Sequence, residues 1–156
     1  MKKFLLFFLF LAAGRSIISQ TRIFNIDGVY YDVKGNVFSG HYKEYDGKGT
    51  LVLEIPVKDG LLEGQVIYYY PNGKMKELRT YSQGILNGVW MEWDEEGNKI
   101  AEASYSMGLK DGKWYIWDKK GNLRIDMTYK KGKRIGIWRY FDENGKEIDS
   151  KVYSEE

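Results

Sequence analysis

Tyr105-Ser106-Met107-Gly108-Leu109-Lys110-Asp111-Gly112-Lys113-Trp114-Tyr115-Ile116-Trp117-Asp118-Lys119-Lys120-Gly121 sets the pattern for most of the chain. Stepping outward from it by 24 residues brings back the same outline, with Gly40, Gly64, Gly88, Gly112 and Gly136 in strict register. Nine residues after each comes another glycine: Gly49, Gly73, Gly97, Gly121 and Gly145. Two residues after each leading glycine stand Tyr42, Val66, Trp90, Trp114 and Trp138, and five after it Tyr45, Tyr69, Trp93, Trp117 and Phe141. Seventeen after it stand Val57, Tyr81, Tyr105, Tyr129 and Tyr153. Five copies without an insertion are the signature of a repeat array, in which each unit packs only on its neighbours. Such an array presents a long surface and has no obvious place for a catalytic pocket.

One unit, Gly88 to Asp111, reads as a hairpin. Val89–Asp94 is short and aromatic-rich, and Asp94-Glu95-Glu96-Gly97 suits a type I turn closed by a left-handed residue. Asp46–Gly49, Tyr70–Gly73, Asp118–Gly121 and Asp142–Gly145 are its equivalents. Asn98–Ser106 is then the returning strand, and a second turn is expected over Met107–Gly112. All ten register glycines are accordingly expected to be structural turn residues. The fold class is all-β: an elongated antiparallel meander of stacked β-hairpin repeats with a 24-residue period. The aromatics at the second and fifth positions are three apart, so either a bulge lies between them or both faces carry aromatics.

The ends differ from the array. Lys2 and Lys3, the apolar run Phe4–Ala13 and the small polar stretch that follows match a signal peptide over residues 1–19. Residues 20–39 read as an N-terminal capping segment, with Gly28-Val29-Tyr30-Tyr31 and Gly35 as a degenerate half-repeat. Residues 40–156 hold the five repeats, starting at 40, 64, 88, 112 and 136. Export to the periplasm, cell envelope or extracellular space is the expectation. Removing Lys2, Lys3 and Arg15 lowers the basic count from 24 to 21 against 22 acidic residues, so the mature chain is near neutral, about −1. No basic field then remains to argue for nucleic acid. The absence of cysteine rules out a disulfide framework, a thiol nucleophile and a thiolate metal site.

Three complete copies of Y-x-x-G-x-x-x-G-x-W occur: Tyr81-Gly84-Gly88-Trp90, Tyr105-Gly108-Gly112-Trp114 and Tyr129-Gly132-Gly136-Trp138. This pattern resembles the MORN repeat, and more closely the bacterial MORN-variant family often catalogued as antitoxin components. Asn72-Gly73-Lys74 and Asn144-Gly145-Lys146 resemble that family's hairpin element. The resemblance covers about Asp27 to Tyr153 and implies a β-hairpin sheet used for binding or scaffolding. Gly112-Lys113-Trp114-Tyr115-Ile116-Trp117 with Gly121 also resembles choline-binding and glucan-binding cell-wall repeats, whose aromatics form cages for quaternary ammonium or sugar faces.

No constellation in the sequence points to catalysis, and no metal or cofactor is expected. His41, the single histidine, occupies a position held in other copies by Gln65, Val89, Lys113 and Ile137. The serines lack a nucleophile-elbow context, and the acidic residues concentrate in turns. The aromatics have two readings. They are a stacked core, or one row faces outward as a binding surface. The candidate surface comprises Tyr68, Tyr69, Tyr70, Trp90, Trp93, Trp114, Trp117 and Trp138, with at least one of the three tyrosines expected to be exposed. The leading expectation is an exported, non-enzymatic protein-binding or scaffold module with an unidentified protein partner. An envelope glycan or choline-type ligand held in aromatic cages is a second, and a periplasmic antitoxin or immunity-like protein a third. Antiparallel self-association through uncovered strand edges is a further expectation.

Overall fold

The computed structural model describes residues 22–154, and no helix occurs among the described residues. The segment read as a signal peptide, residues 1–19, lies outside them. A hairpin of β1 (Ile23–Ile26) and β2 (Val29–Asp32) stands apart as a two-stranded sheet. One 11-stranded sheet holds the rest. Its strands are β3 (Gly40–Tyr45), β4 (Leu51–Lys58), β5 (Leu61–Leu62), β6 (Gly64–Tyr69), β7 (Met75–Ser82), β8 (Ile85–Trp93), β9 (Lys99–Ser106), β10 (Leu109–Trp117), β11 (Leu123–Lys130), β12 (Lys133–Phe141) and β13 (Glu147–Tyr153). They pair antiparallel in chain order, with the short β5 beside β4. The expected meander of hairpins is the observed fold, an open sheet with two free edges, β3 and β13.

Two kinds of turn alternate along it. In the wide loop after β10, the Asp118 carboxylate accepts the amides of Lys120 and Asn122 at 2.9 and 3.0 Å, and the Gly121 amide donates to the Asp118 carbonyl. Asp46 and Asp142 do the same in their loops, and Asp32 builds a matching loop ahead of the array. These are aspartate side chains substituting for missing backbone partners. The connections between units are tight. Asp59-Gly60, Gln83-Gly84, Met107-Gly108 and Lys131-Gly132 have positive φ at both residues, the type I′ geometry that matches strand twist.

The leading glycines correct an expectation. Gly49, Gly73, Gly97, Gly121 and Gly145 do close the wide loops, but Gly40, Gly64, Gly88, Gly112 and Gly136 lie in strands. Gly64, Gly88, Gly112 and Gly136 sit where a strand bulges against the one before it, whereas Gly40 opens the edge strand β3 in regular pairing with β4. β9 and β10 pair Tyr105 with Lys110 and Ala103 with Trp114, so Asp111, Gly112 and Lys113 together oppose Ser104 alone. β8 bulges against Thr80 in the same way. Gly112 has φ of 96°, and a Cβ there would lie 3.2 Å from the Ser104 Cβ. Left-handed backbone and close strand approach therefore select glycine, without any reversal of the chain.

With no second layer among the described residues, the core is small. Ile55, Val57 and Val66 form its buried centre, and Tyr30 and Phe38 from the N-terminal segment pack onto it beside Tyr42, Leu53, Leu62, Tyr68 and Tyr81. Backbone bonds fix that cover in place: Tyr30 N–H to the Gly60 carbonyl at 2.8 Å, and Gly60 N–H to the Phe38 carbonyl at 2.9 Å.

Candidate functional site

Pairing register settles which side chains share a face, because directly opposed residues project to the same side. Trp114 opposes Ala103 on β9 and Met127 on β11, while Gly112 opposes Tyr129. Gly88 likewise opposes Tyr105, and Gly136 opposes Tyr153. Each tyrosine therefore stands against a residue without a side chain, and its ring has room to lean onto the tryptophan two residues along. The result is a continuous aromatic ladder. Trp114 lies 5.3 Å from both Tyr105 and Tyr129, centre to centre. Tyr129 to Trp138 is 5.1 Å and Trp138 to Tyr153 is 4.8 Å. Trp90 and Trp114 approach to 6.2 Å across Ala103, whose small, fully buried side chain separates them.

The bulge also supplies acceptors. Trp114 Nε1–H donates to the Ser104 carbonyl at 3.2 Å, and Trp138 Nε1–H to the Thr128 carbonyl at 3.1 Å. Trp90 instead donates to the Glu77 carboxylate, which also accepts the Arg79 Nε–H at 2.7 Å. Trp138 is buried, whereas Trp90, Trp114, Tyr105, Tyr129 and Tyr153 keep part of their surface exposed. Burial raises the Tyr105 and Tyr129 phenols above their ordinary value, so they stay neutral hydrogen-bonding groups.

Cations lie along this ladder. The Lys110 ammonium is 4.1 Å from the Trp114 ring centre and 4.9 Å from that of Tyr129. Arg134 is 5.1 Å from Trp138 and 5.6 Å from Tyr153. Among the described residues no carboxylate forms an ion pair with Lys110 or Arg134. On the opposite face several cations are paired, as Arg79 is with Glu77 on the ladder face. Lys113 meets Asp126 at 2.8 Å, Lys99 meets Glu102 at 2.5 Å, and Lys43 meets Glu54 at 2.6 Å.

The candidate residues separate accordingly. Trp90, Trp114 and Trp138 share the ladder face, while Trp93 and Trp117 lie on the other, where Tyr115 sits 5.6 Å from Trp117 and Lys99 covers the Trp117 ring at 4.6 Å. Both faces carry aromatics, and the irregularity beside Trp93 falls in β9, at Ile100. At least one of Tyr68, Tyr69 and Tyr70 was expected to be exposed; all three are partly buried. Tyr68 packs on the core cluster under Arg79, and Tyr69 donates to Glu54 at 3.2 Å across the opposite face. Tyr70 occupies the aspartate position of its loop and donates to the Trp93 carbonyl at 2.9 Å. Each is held by a neighbouring strand or loop.

Other residues escaped sequence reading. Ser39, Glu63, Asn87 and Asp111 directly precede the leading glycines, and their side chains accept the amides of Asp59, Gln83, Met107 and Lys131. They support each tight turn on the one before it, while Gly84, Gly108 and Gly132 donate backward to the carbonyls of Leu62, Leu86 and Lys110. The only signal for them was a shared acceptor chemistry among four different residue types.

Among the described residues, no three of His, Cys, Asp and Glu gather as a metal site. His41 is exposed on the edge strand β3. A shallow groove of about 400 Å³ runs over Ile100, Ala101, Ile116 and Trp117, with Asp94 and Asp118 at its rim. Both aspartates are engaged by their own loops, Asp94 through the Asn98 side chain and amide.

The repeat geometry agrees with a match to known sequences. Residues 62–83, 86–107 and 110–131 match the MORN repeat variant family in three tandem copies, each beginning 24 residues after the last. These are MORN-variant repeats. Each MORN-variant match opens two residues before a leading glycine and closes on the first residue of a tight turn, so it takes in one bulge, one wide loop and one rung of the ladder. No curated protein matches the chain.

Proposed function

We propose that this chain is an exported, non-enzymatic scaffold that docks an acidic protein segment along its aromatic ladder. MORN repeats suggest a protein-binding or scaffold role, and the ladder is where this chain is equipped for one. The observation that carries the proposal is the pairing of Lys110 and Arg134, neither in an ion pair, with the partly exposed rings of Trp114, Tyr129 and Tyr153, on a sheet face that no second layer covers from β8 to β13 among the described residues. Partly exposed aromatics flanked by charge are the usual anchors of protein interfaces. A lysine or arginine lying flat on a ring keeps its hydrogens free for an incoming carboxylate.

The same cations weigh against a choline-type ligand. A quaternary ammonium needs a vacant ring face, and Lys110 and Arg134 already cover the rings of Trp114, Tyr129, Trp138 and Tyr153. The test is crosslinking in cells followed by capture on the mature chain, compared across variants. Lys110→Gln with Arg134→Gln is expected to abolish capture of the specific partner while the circular dichroism stays unchanged. Lys113→Gln, on the opposite face, should leave capture intact. Capture that survives the double ladder variant would remove the ladder from consideration.

A further inference from the structure

The edge strand β13, Glu147-Ile148-Asp149-Ser150-Lys151-Val152-Tyr153, is self-complementary, and we propose that it pairs antiparallel with β13 of a second copy, centred on Ser150. In this register Asp149 opposes Lys151 of the second chain and Lys151 opposes its Asp149. Ile148 opposes Val152, Val152 opposes Ile148, and the central serines oppose each other. From Asp149 to Lys151 each residue meets one of its own parity, so outward-pointing N–H and C=O groups face outward-pointing groups; the β12–β13 register shifts only beyond this stretch, at Ile148.

The faces agree as well. Asp149 and Lys151 lie on the ladder face, opposite Tyr140 and Trp138 on β12. Val152 lies on the other, opposite Ile137, while Ile148 is the unpaired residue where the register shifts between Asp149, opposite Tyr140, and Glu147, opposite Phe141. A two-fold axis through Ser150, perpendicular to the sheet, keeps these faces matched and makes one isologous interface. It also accounts for a conspicuous apolar group, since Ile148 is 63% exposed, Val152 79% and Ile137 43%. Paired β13 strands bring these branched side chains together in the cross-strand contacts that such residues favour.

Neighbouring registers are worse. Centring on Asp149 sets two aspartates against each other, and centring on Lys151 sets two lysines together; like charges directly opposed are destabilising. The other edge, β3, has no comparable register. Centring it on Lys43 opposes two lysines, and centring it on Tyr42 opposes His41 to Lys43. A long unprotected edge with exposed Ile and Val is otherwise an aggregation hazard, and closed pairing with one partner copy removes it. Edge pairing leaves the ladder's face open, so this association and partner docking are separable.

Sedimentation or light scattering of the mature chain over a range of concentrations tests the proposal. A monomer–dimer equilibrium is expected. Lys151→Glu should weaken dimerisation by at least about tenfold, because it turns two attractive contacts into two repulsive ones. Asp149→Lys combined with Lys151→Glu exchanges the charges and should restore the dimer. A monomer at every concentration, a dimer indifferent to Lys151→Glu, or a failure of the double variant to recover would each overturn the assignment. Circular dichroism of each variant verifies that its fold is retained.

Discussion

At Gly112 two demands on one residue coincide, and they can be measured together. Its φ of 96° is costly for any L side chain, and a Cβ would press on the Ser104 Cβ at 3.2 Å. Gly47 offers the contrast, since a Cβ there meets nothing within 4 Å and its φ is not in the left-handed range. Gly112→Ala is therefore expected to cost about 2–3 kcal/mol, combining backbone strain with local overpacking. Gly47→Ala should be neutral or stabilising by up to about 1 kcal/mol, through the lost entropy of the unfolded chain. Urea unfolding of the two variants makes the comparison, and equal effects would mean that the bulge tolerates a side chain. The period in which Gly112 stands was legible in the sequence; its reason was not. Gly108 and Gly112 look alike as letters, one turning the chain and the other making room for the Tyr129 ring across the strand pair. Only a pairing partner distinguishes them.

Among the elements, the wide loops were readable because an aspartate at the start and a glycine at the end have local causes. Asp46, Asp94 and Asp32 all hold their carboxyls below the ordinary value near 3.8. For Asp46 the main cause is the Thr50 amide, for Asp94 the Asn98 side chain, and for Asp32 the Asn36 amide. The folded state binds these protons more weakly than the unfolded chain does. Their contribution to stability is thus complete above about pH 4 and is lost as pH falls through the lower folded values. The urea midpoint should accordingly hold steady from neutral pH to about pH 5 and decline below pH 4. Asp94→Asn keeps an acceptor oxygen but no titrating charge, so its deficit relative to the parent chain should shrink as the solution is acidified. A constant deficit across the range would show that charge plays no part in the loop. Less legible were the tight turns, whose support comes from residues twenty positions earlier: Met107 rests on Asn87 and Lys131 on Asp111. No window short enough to reveal a turn contains both partners.

For the molecule as a whole, contacts between neighbouring strands account for the stability, so it should vary along the stack. Tyr30 and Phe38 close the N-terminal end over the buried cluster of Ile55, Val57 and Val66. Nothing comparable covers the other end among the described residues, where six of the seven residues of β13 are exposed. A segment at the N-terminal end was legible as a cap, but the repeats do not show which face it packs against. Amide exchange on the Lys151→Glu variant, studied as a monomer, isolates the difference between the two ends. Amides of β4 and β7 should exchange slowest, those of β10 and β11 faster, and those of β13 fastest. The gradient should appear in the slow amides of each strand and not only in the loops, because fraying removes whole rungs from the open end. In the parent chain the β13 amides that point away from β12 should slow as concentration rises, while those of β3, the other free edge, stay constant. Uniform exchange across all strands would mean that the stack opens as one cooperative unit, and that the N-terminal cover contributes no more to stability than any other rung.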